Sequence, residues 1–294
     1  MGNEQTNTLF VSIINDKIRI FTLILSVLAI VLSQIRPIYQ LFEKPEIETT
    51  VDIESLGITH YFGYLIFEQL LQIKNSGKAS GIVSGIDYYI EKIYRDEDNI
   101  SNDKKFRKIC KVQTYRYGDN FSSQYPILDL FFDYGSIFNN PVVVYETLEK
   151  SKQDECKNLK KEIFNSIKNQ HDKDYLSEER PFKYYVISDT LENKVKKLID
   201  ENLNGFTYGE YNLLVVTYNK NKQLMIPTKY YTFVIQKTDI DKLDEITNDY
   251  KFGGNNINYY NTDKEVGFYT RLTMNTDKII INRLVENLKK IKNL

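Results

Sequence analysis

Residues 20–35 read IFTLILSVLAIVLSQI, sixteen positions without a charge, bracketed by Lys17 and Arg19 before and Arg36 after. A helix that is apolar on every face has no side fit for water. At 1.5 Å per residue the run covers about 24 Å, and a hydrocarbon core is about 30 Å thick. Ile18 on one flank, and Ile38, Tyr39, Leu41 and Phe42 beyond Pro37 on the other, make up the difference. The reading is a single membrane-spanning helix over 18–42, with the lipid bilayer as its partner. Ile20, Leu23, Leu25, Val27, Leu28, Ile30, Val31 and Leu32 would lie in the hydrocarbon. Lys17, Arg19 and Arg36 would hold their charges at the headgroups, with Tyr39 at the interface.

A buried core helix is the competing reading, because runs near this length are ambiguous. A cleaved signal peptide fits less well: Ser33-Gln34-Ile35-Arg36 supplies no small-x-small site. Lys17 and Arg19 on one side balance Arg36 and Lys44 on the other, so loop charge does not set an orientation. A short tail before the helix and a large domain after it favour a signal-anchor in the cell membrane, single-pass, with the N-terminus cytoplasmic.

Outward from that stretch the chain divides into a tail (1–17), the helix (18–42), a linker (43–57) and a domain (58–294). Of 39 basic and 40 acidic residues, four and five fall before residue 51, leaving 35 of each in the remainder. A charge-neutral domain lacks the electrostatic footprint of a nucleic-acid binder, so no nucleic acid is expected as partner. Tyrosine is abundant, at 23 residues, and tryptophan is absent. Tyrosine-rich strands suit a sheet surface and protein contact. The wealth of Asn, Ile, Lys and Tyr also fits an AT-rich coding sequence, as in a bacterium or a mobile element. Cys110 and Cys156 are too few for a disulfide framework and read as unpaired buried thiols.

The strongest β signal runs from Tyr61 to Lys74, then the turn Asn75-Ser76-Gly77-Lys78, then Gly81 to Ile93 with Ile82, Ile86, Tyr88 and Ile90 on alternate positions. This predicts a hairpin of two antiparallel strands. Further strands are expected at 106–117, 128–134, 142–145 and 182–188. A second hairpin is expected from 209–218 through Asn219-Lys220-Asn221-Lys222 to 223–236, with Pro227 at an edge or bulge, and a last strand at 265–274. Leu148, Cys156, Leu159, Ile163 and Ile167 fall at helical spacing, which predicts a helical insertion near 146–172. A second helix near 189–203 is capped by Ser188 or Asp189. Asp239–Asp249 reads as a short polar helix. The pattern of Ile280, Ile281, Leu284, Leu288 and Ile291 predicts a C-terminal amphipathic helix packed on the sheet. The fold class is thus a membrane-anchored α+β protein: one N-terminal transmembrane helix, then a mainly antiparallel β-sandwich-like domain with helical insertions.

No motif for chemistry holds up. Gly77-Lys78 lacks the phosphate loop's first glycine, since position 72 is Gln72, and Ala79 replaces its Ser or Thr. Ser101-Asn102-Asp103-Lys104 matches S-x-x-K without its companion motifs. His60 and His171 are the only histidines and lie far apart, so no metal is expected. His60 reads as the start of the sheet and His171 as a loop residue. Asp129 and Asp133 would stand about 13 Å apart on a strand, too far for a paired-carboxylate site. Asp96-Glu97-Asp98 lacks the glycine and final glutamate of a calcium loop. No catalytic residue, cofactor or metal ligand is assigned. The functional reading is a membrane-tethered protein-binding or assembly module, homo-oligomeric or bound to a protein partner, without catalysis of its own. The alternatives are a membrane effector or sensor, and an enzyme whose site is assembled from distant residues.

Overall fold

The structure, a computed structural model, describes residues 19–33, 44–94, 105–115, 124–126, 130–176, 186–252 and 267–292. Its strands are β1 (Ile47–Val51), β2 (Leu56–Tyr61), β3 (Tyr64–Asn75), β4 (Gly81–Lys92), β5 (Arg107–Tyr115), β6 (Gln124–Pro126), β7 (Leu130–Phe132), β8 (Ile137–Glu146), β9 (Gly209–Asn219), β10 (Leu224–Met225), β11 (Tyr230–Ile235), β12 (Phe268–Thr270) and β13 (Thr273–Asn275). Helices are α1 (residues 19–33), α2 (Lys150–Leu176), α3 (Asp189–Leu203), α4 (Lys237–Asp249) and α5 (Lys278–Lys292).

The strands form one sheet in the order β12-β2-β3-β8-β5-β4-β9-β11-β13, and every pairing is antiparallel. This overturns the β-sandwich: the chain makes a single curled sheet, a half-barrel, rather than two sheets face to face. The curl brings the two ends of the order together, because β12 and β13 are consecutive in sequence but pair with β2 and β11 respectively.

The first expected hairpin is also corrected. β3 pairs with β1, β2 and β8, while β4 pairs with β5, β7 and β9, so β3 and β4 are not neighbours. The segment 75–80 instead folds back on the chain before β1. Asn75 Oδ1 accepts from the Glu46 N–H, and its amide donates to Ala79 O and Phe132 O. The second expected hairpin forms, with β9 facing β10 and β11, and Pro227 lies in the break between those two. Pro141 sits inside β8 opposite Leu70.

The membrane helix is overturned as well. The described residues of α1, 19–33, cover about 22 Å at 1.5 Å per residue, against a hydrocarbon core of about 30 Å. Among the described residues no helix is long and apolar enough to cross a membrane. The single-pass, signal-anchored placement in the cell membrane therefore loses its support.

Two cores follow from the two faces of the curled sheet. On one face Ile86, Tyr88 and Ile90 of β4 join Tyr211, Leu213 and Val215 of β9 and Tyr231, Phe233 and Ile235 of β11, together with residues of α2, α3 and α4. Helix α2 buries Cys156, Leu159, Ile163 and Ile167 of the predicted stripe, whereas Leu148 lies before the helix and is partly buried. The Ser188 hydroxyl caps α3 at the Leu191 N–H, as expected. On the other face Tyr89, Leu214, Val216, Tyr218 and Tyr230 take Ile281, Leu284, Val285 and Leu288 of α5. Side chains of this kind contribute about 1.5–3 kcal/mol each when fully buried, so α5 packs on the sheet, although Ile291 of the predicted face is left 44% exposed.

Between β4 and α5 lies a polar clamp. Glu91, 7% exposed, accepts hydrogen bonds from the Tyr89 hydroxyl (2.9 Å), Arg283 Nη2 (2.9 Å), Asn287 (3.3 Å) and Asn212 (3.4 Å). Asp87 pairs with Lys292, which also donates to the Tyr218 hydroxyl. Glu91→Gln keeps the shape and removes the charge that four donors face. It is expected to cost about 2 kcal/mol, the scale of hydrogen bonds to a charged group. Urea unfolding followed by circular dichroism measures this, and an unchanged midpoint would refute it.

Candidate functional site

The residues assigned to the membrane all fall on α1. Ile20, Leu23, Leu25, Val27, Leu28, Ile30, Val31 and Leu32 are exposed, from Leu25 at 49% to Leu23 at 68%, and Phe21 and Ile24 beside them are exposed too. Arg19 is the first described residue of α1, whereas Lys17, Arg36 and Tyr39 lie outside the described residues. Two hydroxyls of α1 turn back on its own backbone: Ser26 Oγ donates to Thr22 O (2.8 Å) and Ser33 Oγ to Ile30 O (2.7 Å). Beyond Arg19 at its start, the exposed surface of α1 is mostly hydrocarbon, the kind of patch that marks an interaction surface.

A second surface arises where the half-barrel meets itself. The segment 268–275 changes partner midway. β13 pairs with residues 230–232 of β11, whereas β12 leaves β11 and pairs with residues 56–58 of β2. Leu272 marks the switch; it is buried, and its N–H donates to Ile53 O (2.8 Å). Past the switch no β11–β12 ladder forms, and Thr270 Oγ1 donates to Val234 O (3.0 Å) across the gap. A groove of about 450 Å³ opens there, lined by residues that include Glu210, Val234, Asp239, Tyr269, Thr270 and Arg271. Arg271 reaches out to Glu54 at 3.5 Å, and Asp239 Oδ2 accepts the Gln236 N–H. The strand expected at 265–274 carries no sign in its pattern that it is split between two partners. A groove between α2 and α3 is polar instead, its Lys194 and Lys197 paired with Glu162 and Glu201.

His60 lies in β2 with 2% exposure, which fits its assignment to the start of the sheet. Its Nδ1 accepts the Gly63 N–H (3.1 Å), so Nε2 carries the proton and donates to Leu243 O (3.1 Å). Burial pushes its pKa down from 6.5 to about 4, partly opposed by the bond to Leu243. His171 falls within the span of α2 rather than in a loop. Asp133 accepts from Ser80 Oγ (2.9 Å), while Asp129, Asp96-Glu97-Asp98 and Ser101-Asn102-Asp103 lie outside the described residues. Cys110 and Cys156 are free and buried. Burial pushes both thiols up, away from the thiolate that a nucleophile needs. Among the described residues no group of three or more His, Cys, Asp or Glu is placed to hold a metal ion.

Neither a protein-family model nor a curated protein matches the chain. Among solved structures, Spo0M, a sporulation control protein from Bacillus subtilis, is similar to it at a TM-score of 0.18 and 9% identity, over 84% of this chain and 97% of that one. A likeness of that size carries no argument about fold or function.

Proposed function

We propose that this chain is an assembly module that associates with copies of itself through α1 and carries no catalysis of its own. The observation behind the reading is the exposure of α1 on every face. A groove in a partner covers one side of a helix, but a bundle of like helices covers several sides of each. Copies of this chain present that apolar surface to one another with no charge to neutralise between residues 20 and 33. The tyrosine-rich half-barrel is the part that such an assembly would array.

Light scattering on the full chain after gel filtration tests this. The chain is expected to run as an oligomer. Leu25→Glu with Leu28→Glu, both exposed on α1, is expected to shift it to monomer. Each lost contact is worth about 1.5–3 kcal/mol of burial, at least tenfold in dissociation constant. A wild-type chain that stays monomeric at its highest workable concentration would refute the reading, and so would a double variant with unchanged mass.

A further inference from the structure

We infer that the outer stripes of α2 and α4 are the two halves of a helix–helix contact between copies of this chain. The inference deepens the assembly reading and rests on its premise that copies associate: α1 brings them together, and this contact sets how neighbouring half-barrels sit.

The first half is basic. Lys157, Lys161, Phe164 and Lys168 are four, three and four residues apart, so they line one side of α2. That side is distinct from the one that buries Cys156, Leu159, Ile163 and Ile167. All four residues are exposed, and Phe164, at 58%, sets a large apolar ring among cations. Two other lysines of the helix are engaged: Lys152 pairs with Glu155, and Lys160 lies over the Tyr61 ring. Lys157, Lys161 and Lys168 have no ion pair among the described residues.

The second half is acidic. Lys237, Asp241, Asp244 and Asn248 of α4 repeat the same spacing and are exposed, while Leu243 and Ile246 are buried on the other side. The helix carries Asp239, Asp241, Asp244, Glu245 and Asp249 against Lys237 and Lys242. Asp200 of α3 adds to the crowd: burial, and then the charges of Asp241 and Asp200, push the pKa of Asp244 up. Asp241 and Asp244 have no ion pair among the described residues. A cation from outside relieves that repulsion.

The two stripes match in length and in charge. Lys157 to Phe164 and Lys237 to Asp244 both span seven residues, two turns, about 10 Å at 1.5 Å per residue. In an antiparallel seam Lys157 meets Asp244, Lys161 meets Asp241, and the Phe164 ring meets the ammonium of Lys237. Exposed pairs of this kind are individually weak, so the local concentration that α1 supplies matters. A flat polyanion fits less well, because Asp154 and Glu162, both exposed, flank the basic stripe.

The test is zero-length lysine–carboxylate cross-linking of the full chain at low salt. Equal amounts of isotope-labelled and unlabelled protein are mixed, so that links between copies carry both masses. Mixed links are expected from Lys157 and Lys161 to Asp241 and Asp244, and are expected to fade at high salt. Lys157→Glu is expected to lower the Lys161–Asp241 link at least about threefold, and adding Asp244→Lys to restore it. Absence of mixed links at these positions in the wild type would overturn the inference, as would a loss that Asp244→Lys does not repair. Capture by phosphatidylserine vesicles that Lys157→Glu abolishes would assign the stripe to a lipid surface and overturn it too. Mass reads α1, whereas linked positions read this contact. A monomer by light scattering that still gives the links at its highest concentration would remove the α1 reading and spare this one; an oligomer without them would do the reverse.

Discussion

Gly63→Ala is expected to destabilise the protein by about 2–5 kcal/mol, from two costs that combine at one turn. Tyr61-Phe62-Gly63-Tyr64 joins β2 to β3 in a two-residue hairpin with φ of +50° at Phe62 and +83° at Gly63. Both central residues are left-handed, as a turn matched to the twist of the strands requires. An alanine at φ +83° costs about 1–2 kcal/mol for its own conformation. Its Cβ would also stand 2.6 Å from Ile199 O, 2.9 Å from Ile199 Cα and 2.8 Å from Asn202 Cβ, so the backbone of α3 has to move. Overpacking of that kind adds about 1–3 kcal/mol.

The turn cannot relax cheaply, because it is tied on every side. The Phe62 N–H donates to the Tyr250 hydroxyl (2.9 Å), and the Phe62 carbonyl accepts from Asn202 (2.9 Å). The Phe62 ring packs on Tyr250 at 4.6 Å. Gly135 provides the control: it has φ +74° and nothing within 4 Å of an added Cβ. Gly135→Ala is expected to cost only the conformational part, about 1–2 kcal/mol. Urea midpoints of the two variants separate strain from collision, and equal losses would show that α3 yields freely.

Period-two alternation in β4 showed a strand and named the face made by Ile86, Tyr88 and Ile90. The pattern is silent about which strand lies alongside, so the β3–β4 hairpin was the natural but mistaken inference. It is equally silent about the other face. Asp87 and Glu91 look like solvent residues in sequence, and only the docking of α5, nearly 200 residues later, makes them a buried clamp. For α1 the apolar run fixed the helix and left open what covers it, because lipid and protein ask for the same side chains. The seam at β12 had no signal at all: a strand that changes partner keeps an ordinary strand pattern. The helices at α2, α3 and α5 were legible because each has a single apolar stripe facing a single surface.

Stability is expected to fall by about 3 kcal/mol between pH 6.5 and pH 4 through His60. Its pKa is about 4 in the folded chain against 6.5 unfolded. Between those values the unfolded state binds the extra proton, so stability rises with pH across that window and is lost as pH falls through it. Below about pH 4 the folded state binds the proton as well, and this loss stops growing. The structural cause is that both ring nitrogens are committed. Protonated Nδ1 can no longer accept the Gly63 N–H, in a site closed by Thr247 and the stacked Tyr250 ring. Glu48 and Glu192, held below the usual carboxylate value by Lys229 and Lys196, lose their contributions only below about pH 4.5. Asp244, pushed up by burial, works in the opposite direction. His60→Gln keeps a neutral hydrogen-bonding side chain and is expected to flatten the profile from pH 5 to 7, at a fixed cost of about 1–2 kcal/mol throughout. Urea midpoints at half-unit steps check this. A wild type with no slope from pH 6.5 to 5, or a variant that retains the wild-type slope, would place the acid sensitivity elsewhere.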